Sequence, residues 1–292
     1  MKALKVAIFF IFAAAGCFFF WPKTVHQPKI YDCFLFYNEL ELLEIRLSEM
    51  YDHVDKFVLV EASETFRGKP KPFYFAENKH LFEKFADKII HVQLKEPFKT
   101  DDPWMREKYQ RSQAVRGLKD GHPEDIAIIS DVDEIIRGSR MAEIAQLISS
   151  QKAEVVVCKQ AMYKGYLNRA LTEGWPGPVC TTLKKMKKLT PAFIRRLRNQ
   201  NPKKLRKAQI TKIAVIPNAG WHFTSMGGID RTVLKLESFS HAEYDTPEYK
   251  NKQRILEEIR QFPLRPIDAT FPQFVQENQK RLEQMGFIDM KP

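Results

Sequence analysis

From Ile30 onward, short apolar runs alternate with segments whose apolar residues recur at helical spacing. Ile30 to Tyr37 is a strand-length apolar run. Glu39 to Met50 puts Leu40, Leu43, Leu47 and Met50 on one helical face, and Lys56 to Val60 is a second apolar run, ending at Glu61-Ala62-Ser63. A continuous apolar run marks a strand covered on both faces, so two such runs joined by a helix predict a βαβ unit. The alternation continues with helices over Leu81 to Phe85 and Trp104 to Leu118, and strands over Ile89 to Leu94 and Asp125 to Ser130. Further on, Met141 to Ser149 reads as a helix, Val155 to Cys158 and Thr211 to Ile216 as strands, Thr190 to Lys207 as a helical hairpin or loop, and Pro247 to Gln261 as a helix. The pattern predicts an α/β fold, a mainly parallel sheet flanked by helices in one domain over residues 29–292, meeting its ligands outside the C-terminal ends of the strands.

The first 28 residues follow a different rule. Lys2 and Lys5 precede sixteen uncharged residues, Val6 to Trp21, and a Pro-punctuated stretch runs to Pro28. Sixteen helical residues reach about 24 Å against a hydrocarbon core of ~30 Å, and Leu4 with snorkelling lysines extends that reach. The expectation is a single-pass signal anchor over residues 1–28, with the N-terminus cytoplasmic and the body on the far side of a membrane, in a Golgi-like lumen or a cell envelope according to the host. A cleaved signal peptide is the alternative, since Ala13-Ala14-Ala15 offers small residues, and Ala14-Ala15-Gly16-Cys17 is a lipobox without its Leu.

Composition narrows the class. With 44% apolar residues and 22 Phe in 292, the chain is globular, and global disorder, collagen and a polytopic membrane protein are excluded. The net charge of +11 is concentrated: Lys184 to Lys212 holds twelve basic residues, and no acidic residue lies between Gly174 and Ile229. Phe193 is the only aromatic from Leu183 to Lys212, so the stretch lacks the interleaved rings of a nucleic-acid site. It reads either as a solvated or membrane-facing surface or as a contact for an anionic phosphate or glycan substrate. Four cysteines without CxxC spacing argue against structural zinc and leave a disulfide and reduced thiols equally open.

The sharpest chemical signal is Ile126-Ala127-Ile128-Ile129-Ser130-Asp131-Val132-Asp133-Glu134, where an apolar strand runs into three carboxylates. Like charges on one short turn repel unless a cation neutralises them, and oxygen ligands select a hard divalent ion such as Mg²⁺ or Mn²⁺. The competing reading is an acidic helix N-cap. His222, between Trp221 and Phe223, is either an imidazole completing a metal shell or a packed core histidine, whereas His26, His53, His80, His91 and His122 read as surface residues.

The stretch Tyr31-Asp32-Cys33-Phe34-Leu35-Phe36-Tyr37-Asn38-Glu39-Leu40-Glu41-Leu42-Leu43-Glu44-Ile45-Arg46-Leu47 resembles the opening of glycosyltransferase family 17, a family of N-acetylglucosaminyltransferases. Similar blocks follow in order at Phe57 to Ser63, Gly68 to Pro72, Tyr109 to Arg111, Ile129 to Ile135, Gly220 to Phe223 and Lys235 to Glu243. The basic segment does not match. The resemblance implies a GT-A-like fold, UDP-GlcNAc as donor, a Mn²⁺ or Mg²⁺ cofactor, a glycan or glycoprotein acceptor in N-glycan processing, and inversion at the anomeric carbon. It implies Asp131 and Asp133 as metal ligands, Asp133 foremost and Asp131 nearer the ribose; Glu61 either meets the uridine or is an ordinary loop carboxylate. Arg111 either meets the diphosphate or pairs with Glu107 one helical turn away. The candidates for the base that takes the acceptor's proton are Glu243 and Glu134, the metal-bound aspartates having their lone pairs engaged, and the competing reading of Glu243 is a structural salt bridge. A catalytically inactive sugar-nucleotide or glycan-binding protein on the same fold is the alternative.

Overall fold

The structure is a computed structural model describing residues 26–290. Nine strands form one sheet: β1 (Ile30–Phe36), β2 (Lys56–Ala62), β3 (Ile89–Leu94), β4 (Ile126–Asp131), β5 (Glu134–Ile136), β6 (Val155–Lys164), β7 (Ala170–Thr182), β8 (Ile213–Ile216) and β9 (Gly220–Thr224). The helices are α1 (Leu40–Met50), α2 (Tyr74–Glu77), α3 (Pro103–Ser112), α4 (Met141–Ser149), α5 (Leu183–Leu189), α6 (Pro191–Arg195), α7 (Pro202–Ala208), α8 (Gly228–Ser238), α9 (Lys252–Arg260), α10 (Gln273–Glu277) and α11 (Gln279–Gln284). Sheet order is β3-β2-β1-β4-β7-β6-β9-β5, with β8 also on β6. The β3-β2-β1-β4 half is parallel, as the βαβ reading expects, and the other half is mixed, because β7 runs antiparallel to both β4 and β6.

The apolar runs are continuous because both faces of the sheet are covered. In β1, Phe34 and Phe36 join α1 and α4 in one cluster; Tyr31, Cys33 and Leu35 join the other, which includes Leu183 of α5, Ile194 of α6 and Ala208 of α7. The basic stretch is therefore an amphipathic layer, apolar inward and lysine-rich outward. Cys33, Cys158 and Cys180 are buried free thiols. His91 departs from its surface reading: it is half-buried, with Nε2 3.0 Å from Glu61.

Three strands of the sheet, β5, β7 and β9, are not predicted by the sequence pattern. β7 contains Gly174, Pro176, Gly177 and Pro178, residues that argue against a strand. They are tolerated because β4 pairs only with Val179 to Thr182, so the Pro-bearing part of β7 has no β4 ladder to break. β5 is three residues long, and β9 begins at Gly220, where a Cβ would lie 2.0 Å from the carbonyl oxygen of Ile135. Only glycine lets β9 approach β5 this closely, and the pairing sets His222 opposite Glu134. The apolar run expected to anchor the chain lies outside the described residues; among the described residues no helix is long and apolar enough to cross a membrane.

One buried ion pair joins α1 to the acidic turn. Arg46 and Asp32 are both fully buried, with Nη2 2.5 Å and Nε 2.8 Å from the carboxylate oxygens. Nη1 donates to the carbonyls of Asp131 (2.9 Å), Val132 (3.3 Å) and Glu134 (2.8 Å), and Nη2 to the Ser130 hydroxyl (2.6 Å). Breaking a buried pair from one side leaves a bare charge, so Arg46→Met is expected to cost about 3–5 kcal/mol in urea unfolding. Adding Asp32→Leu is expected to recover part of that loss; a double variant as weak as the sum of two singles would show the pair is not coupled.

Candidate active site

A cavity of about 360 Å³ opens at the C-terminal ends of β1 and β4. Its floor is the turn from Asp131 to Glu134, carried out of the sheet by the buried strand β4 and held by Arg46. Helix α3 supplies Trp104, Glu107 and Arg111 on one side, while β9 and α8 supply His222 and Lys235 on the other. Asp102 caps α3 by accepting from the Trp104 and Met105 amides, which fixes the helix end facing the cavity.

The carboxylates of the turn take different partners. Asp131 meets Arg111 at 2.8 Å and Arg195 at 3.1 Å. Burial pushes its carboxyl up, but Arg111, Arg195 and Arg198 outweigh that and hold it far below the usual carboxylate range. Asp133 accepts from Lys235 Nζ at 2.9 Å and lies 3.6 Å from His222 Nε2; burial again pushes up and these two groups pull the pKa well down. Glu134 has both oxygens engaged: one accepts from Arg195 (2.5 Å) and Trp175 Nε1 (3.2 Å), the other from the Asp131 amide (3.3 Å). Arg111 does both things weighed for it, reaching Glu107 and Asp131 at 2.8 Å each.

Asp131, Asp133, Glu134, Arg111 and His222 thus share one cavity wall, and two of the sequence-derived residues stand apart. Glu61 is fully buried below it, 3.4 Å from Lys71 Nζ and 3.0 Å from His91, so Lys71 lines the cavity in its place. Glu243 is exposed at the rim on a single 3-10 turn, its carboxylate 2.7 Å from Nδ1 of His241, and it is His241 that lines the cavity. The His241 hydrogen bond holds the Glu243 carboxyl below its ordinary value.

Sequence reading missed Arg195, Arg198, Trp175 and Lys235. Arg195 and Arg198 belong to the basic stretch taken as uniform, but their environment separates them from the lysines. α6 places Arg195 among buried Ile194 and Leu197, where it also donates to the Gly177 carbonyl, and Arg198 lies 5.3 Å over Trp175. Trp175 in turn lies 5.2 Å from His222, the two ring planes tilted by 37°. Lys184 is exposed, and Lys185 pairs with Glu154 away from the cavity. An arginine beside apolar residues on a short helix was the available signal.

For a divalent ion, the donor set fits in part. Asp133 Oδ1 and His222 Nε2 offer an oxygen and an imidazole nitrogen 3.6 Å apart, suited to a Mn²⁺-class ion. Asp131 faces two guanidinium groups, and Asp131, Asp133 and His222 do not bring three ligand atoms within 4.8 Å of one another.

Residues 13–152 match the family model of glycosyltransferase family 17, which upholds the resemblance over that region. The β-1,4-mannosyl-glycoprotein 4-β-N-acetylglucosaminyltransferases of Homo sapiens and Rattus norvegicus are 35% identical over 106 residues, and that of Mus musculus 34%. The match takes in 34% of this chain, which spans about a fifth, 20%, of the length of these curated relatives. Among solved structures, a mannosyltransferase from Pyrobaculum calidifontis in complex with GDP-Man and Mn²⁺ aligns at 13% identity and TM-score 0.45, and S. aureus TarS 1-349 at 14% and 0.43, each over 80% of this chain and 70% of the other.

The pKa directions fix a pH dependence. The folded carboxyls of Asp131 and Asp133 lie below the ordinary 3.8, so the folded chain binds fewer protons than the unfolded chain in acid. Their contribution is complete above the unfolded value and is lost as the pH falls through about 4 and below. Urea midpoints are expected to drop on acidification across that window, with a shallower drop in Asp131→Asn; equal slopes would mean that other groups carry the dependence.

Proposed function

We propose that the chain is a metal-dependent, inverting glycosyltransferase with a GT-A-like fold that moves GlcNAc from UDP-GlcNAc to a glycan hydroxyl, held to a membrane by its first 28 residues. The observation that carries the reading is the cavity at the end of β4, where Asp131 and Asp133 face Arg111, Arg198 and Lys235. Mixed charge of this kind suits a diphosphate with a cation. The family match over residues 13–152 supports the N-acetylglucosaminyl specificity, and the strand order β3-β2-β1-β4 with an acidic turn after β4 supports the fold. The uncharged run from Val6 to Trp21 behind Lys2 and Lys5 supports the anchor.

In this reading, Arg111, Arg198 and Lys235 neutralise the diphosphate as it departs, and their positions are fixed beforehand by Glu107, Trp175 and Asp133. Asp133 and His222 would hold the divalent ion, which supplies further neutralisation of the leaving phosphate. The acceptor hydroxyl oxygen bonds to the anomeric carbon as the carbon–oxygen bond to UDP breaks, UDP leaving with the electron pair. A carboxylate on the acceptor side takes the hydroxyl proton. Glu134 has its oxygens engaged, so Glu243, exposed beside His241, is the base of this proposal.

Two measurements test the assignment. Glu243→Gln keeps shape and removes basicity, and turnover is expected to fall about a hundredfold or more with UDP-GlcNAc binding retained. Retained turnover would return the role to Glu134. Arg198→Gln is expected to weaken UDP binding about tenfold, whereas converting Lys184, Lys185, Lys187 and Lys188 together to Gln is expected to leave it unchanged; the reverse pattern would make the lysine surface the anion site.

A further inference from the structure

An aromatic file leaves the cavity rim and runs into solvent. Trp104 at the start of α3 meets His241 edge-on at a centroid distance of 4.4 Å. His241 lies 5.6 Å from Tyr244, and Tyr244 lies 5.0 Å from Tyr249. Phe239 backs the file, 5.4 Å from His241 and 6.3 Å from Tyr244. These rings are not core: Trp104 is 48% exposed, and Tyr244 and Tyr249 are 38% exposed each. Trp104, Phe239 and His241 line the cavity, so the file is continuous with the site.

The flanks of the file are polar. Glu243 holds His241, Lys250 bridges Asp245 at 2.9 Å and Glu237 at 3.0 Å, and Arg254 covers Tyr249 at 4.8 Å. A protein-docking surface would present a contiguous apolar patch with a polar rim. Here a narrow file of touching rings is flanked by charged groups. Sugars match that arrangement, because a pyranose offers an apolar C–H face to a ring and hydroxyl edges to carboxylates, ammonium and guanidinium groups. Rings with wet polar tips, such as Tyr, suit such a half-apolar partner.

We infer that Trp104, His241, Tyr244 and Tyr249 form a platform for the sugars of an extended acceptor glycan, beyond the residue that receives the transferred sugar. The inference rests on the proposed glycosyltransferase reading and goes beyond it by assigning residues to the acceptor's outlying sugars, bound by successive stacking contacts along the file. A glycan on this file passes over the His241–Glu243 pair, so the platform leads to the proposed base. Neither tyrosine takes part in the carboxylate and cation network of the cavity.

The test is direct binding, scored without transfer. Calorimetric titration of the full chain with a trimannosyl-chitobiose pentasaccharide and with free mannose is expected to give at least about tenfold tighter binding of the longer sugar, because stacking contacts add along the file. Tyr244→Ala and Tyr249→Ala are each expected to lower pentasaccharide affinity about threefold to tenfold, and Tyr244→Phe to retain most of it. Melting curves exclude misfolding, and both side chains are exposed. Equal affinities for the two sugars, or unchanged pentasaccharide affinity in both Ala variants, would overturn the platform. Loss of UDP binding in those variants with unchanged pentasaccharide affinity would assign the rings to the nucleobase instead, which also overturns it. Failure of the donor reading appears separately, as absence of UDP binding and UDP release in the wild-type chain.

Discussion

The guanidinium of Arg46 is the interaction on which the site depends. Asp131 to Glu134 must leave the sheet in a tight turn, and a turn beneath a cavity strands its carbonyls away from water. Arg46 collects three of those carbonyls and the Ser130 hydroxyl while Asp32 neutralises it. The arrangement is costly in desolvation and gains little net stability over an apolar pair. Its return is position: the Asp131 and Asp133 side chains point into the cavity because their backbone is held from the opposite side.

Charge in the cavity is balanced before any ligand arrives. Asp131 lies between Arg111 and Arg195, Asp133 between Lys235 and His222, and Glu134 beneath Arg195 and Trp175. Each cation that could receive a phosphate is already aimed, so binding exchanges partners rather than recruiting free side chains. The basic stretch has two roles within one sequence: α5 to α7 cover the sheet with Leu183, Ile194 and Leu197 and turn lysines outward, while Arg195 and Arg198 reach inward.

The legible part of this chain is the part where local pattern decides. β1, α1, β2, β3, β4 and α4 follow from apolar runs and helical spacing, and the acidic turn follows from Asp131, Val132, Asp133 and Glu134 at a strand's end. β7 was not legible, because Pro176 and Pro178 are permitted there by the short reach of β4 and by the irregular register with β6, both facts of tertiary pairing. The same holds for Arg46, whose place among leucines on α1 looks like an amphipathic boundary until Asp32 is found opposite it. Glu61 and Glu243 mark the limit for side chains: Glu61 lies within the stretch that the family model matches and Glu243 beyond it, yet burial under Lys71 and His91 separates Glu61 from the cavity, and the turn at Ala242–Tyr244 sets Glu243 outside its wall.

Gly220 carries a consequence for alignment errors. Strand pairings are prone to slipping by one residue, and a slip would turn Trp221 toward the cavity and bury His222 in the core. At the contact with Ile135 and Ile136, however, no residue with a Cβ can be seated. Ala219 and Trp221, the residues that a slip would bring there, both have one. The glycine therefore works as a gauge that passes a single pairing, and the imidazole's place opposite Glu134 is encoded by the one residue nearby that has no side chain at all.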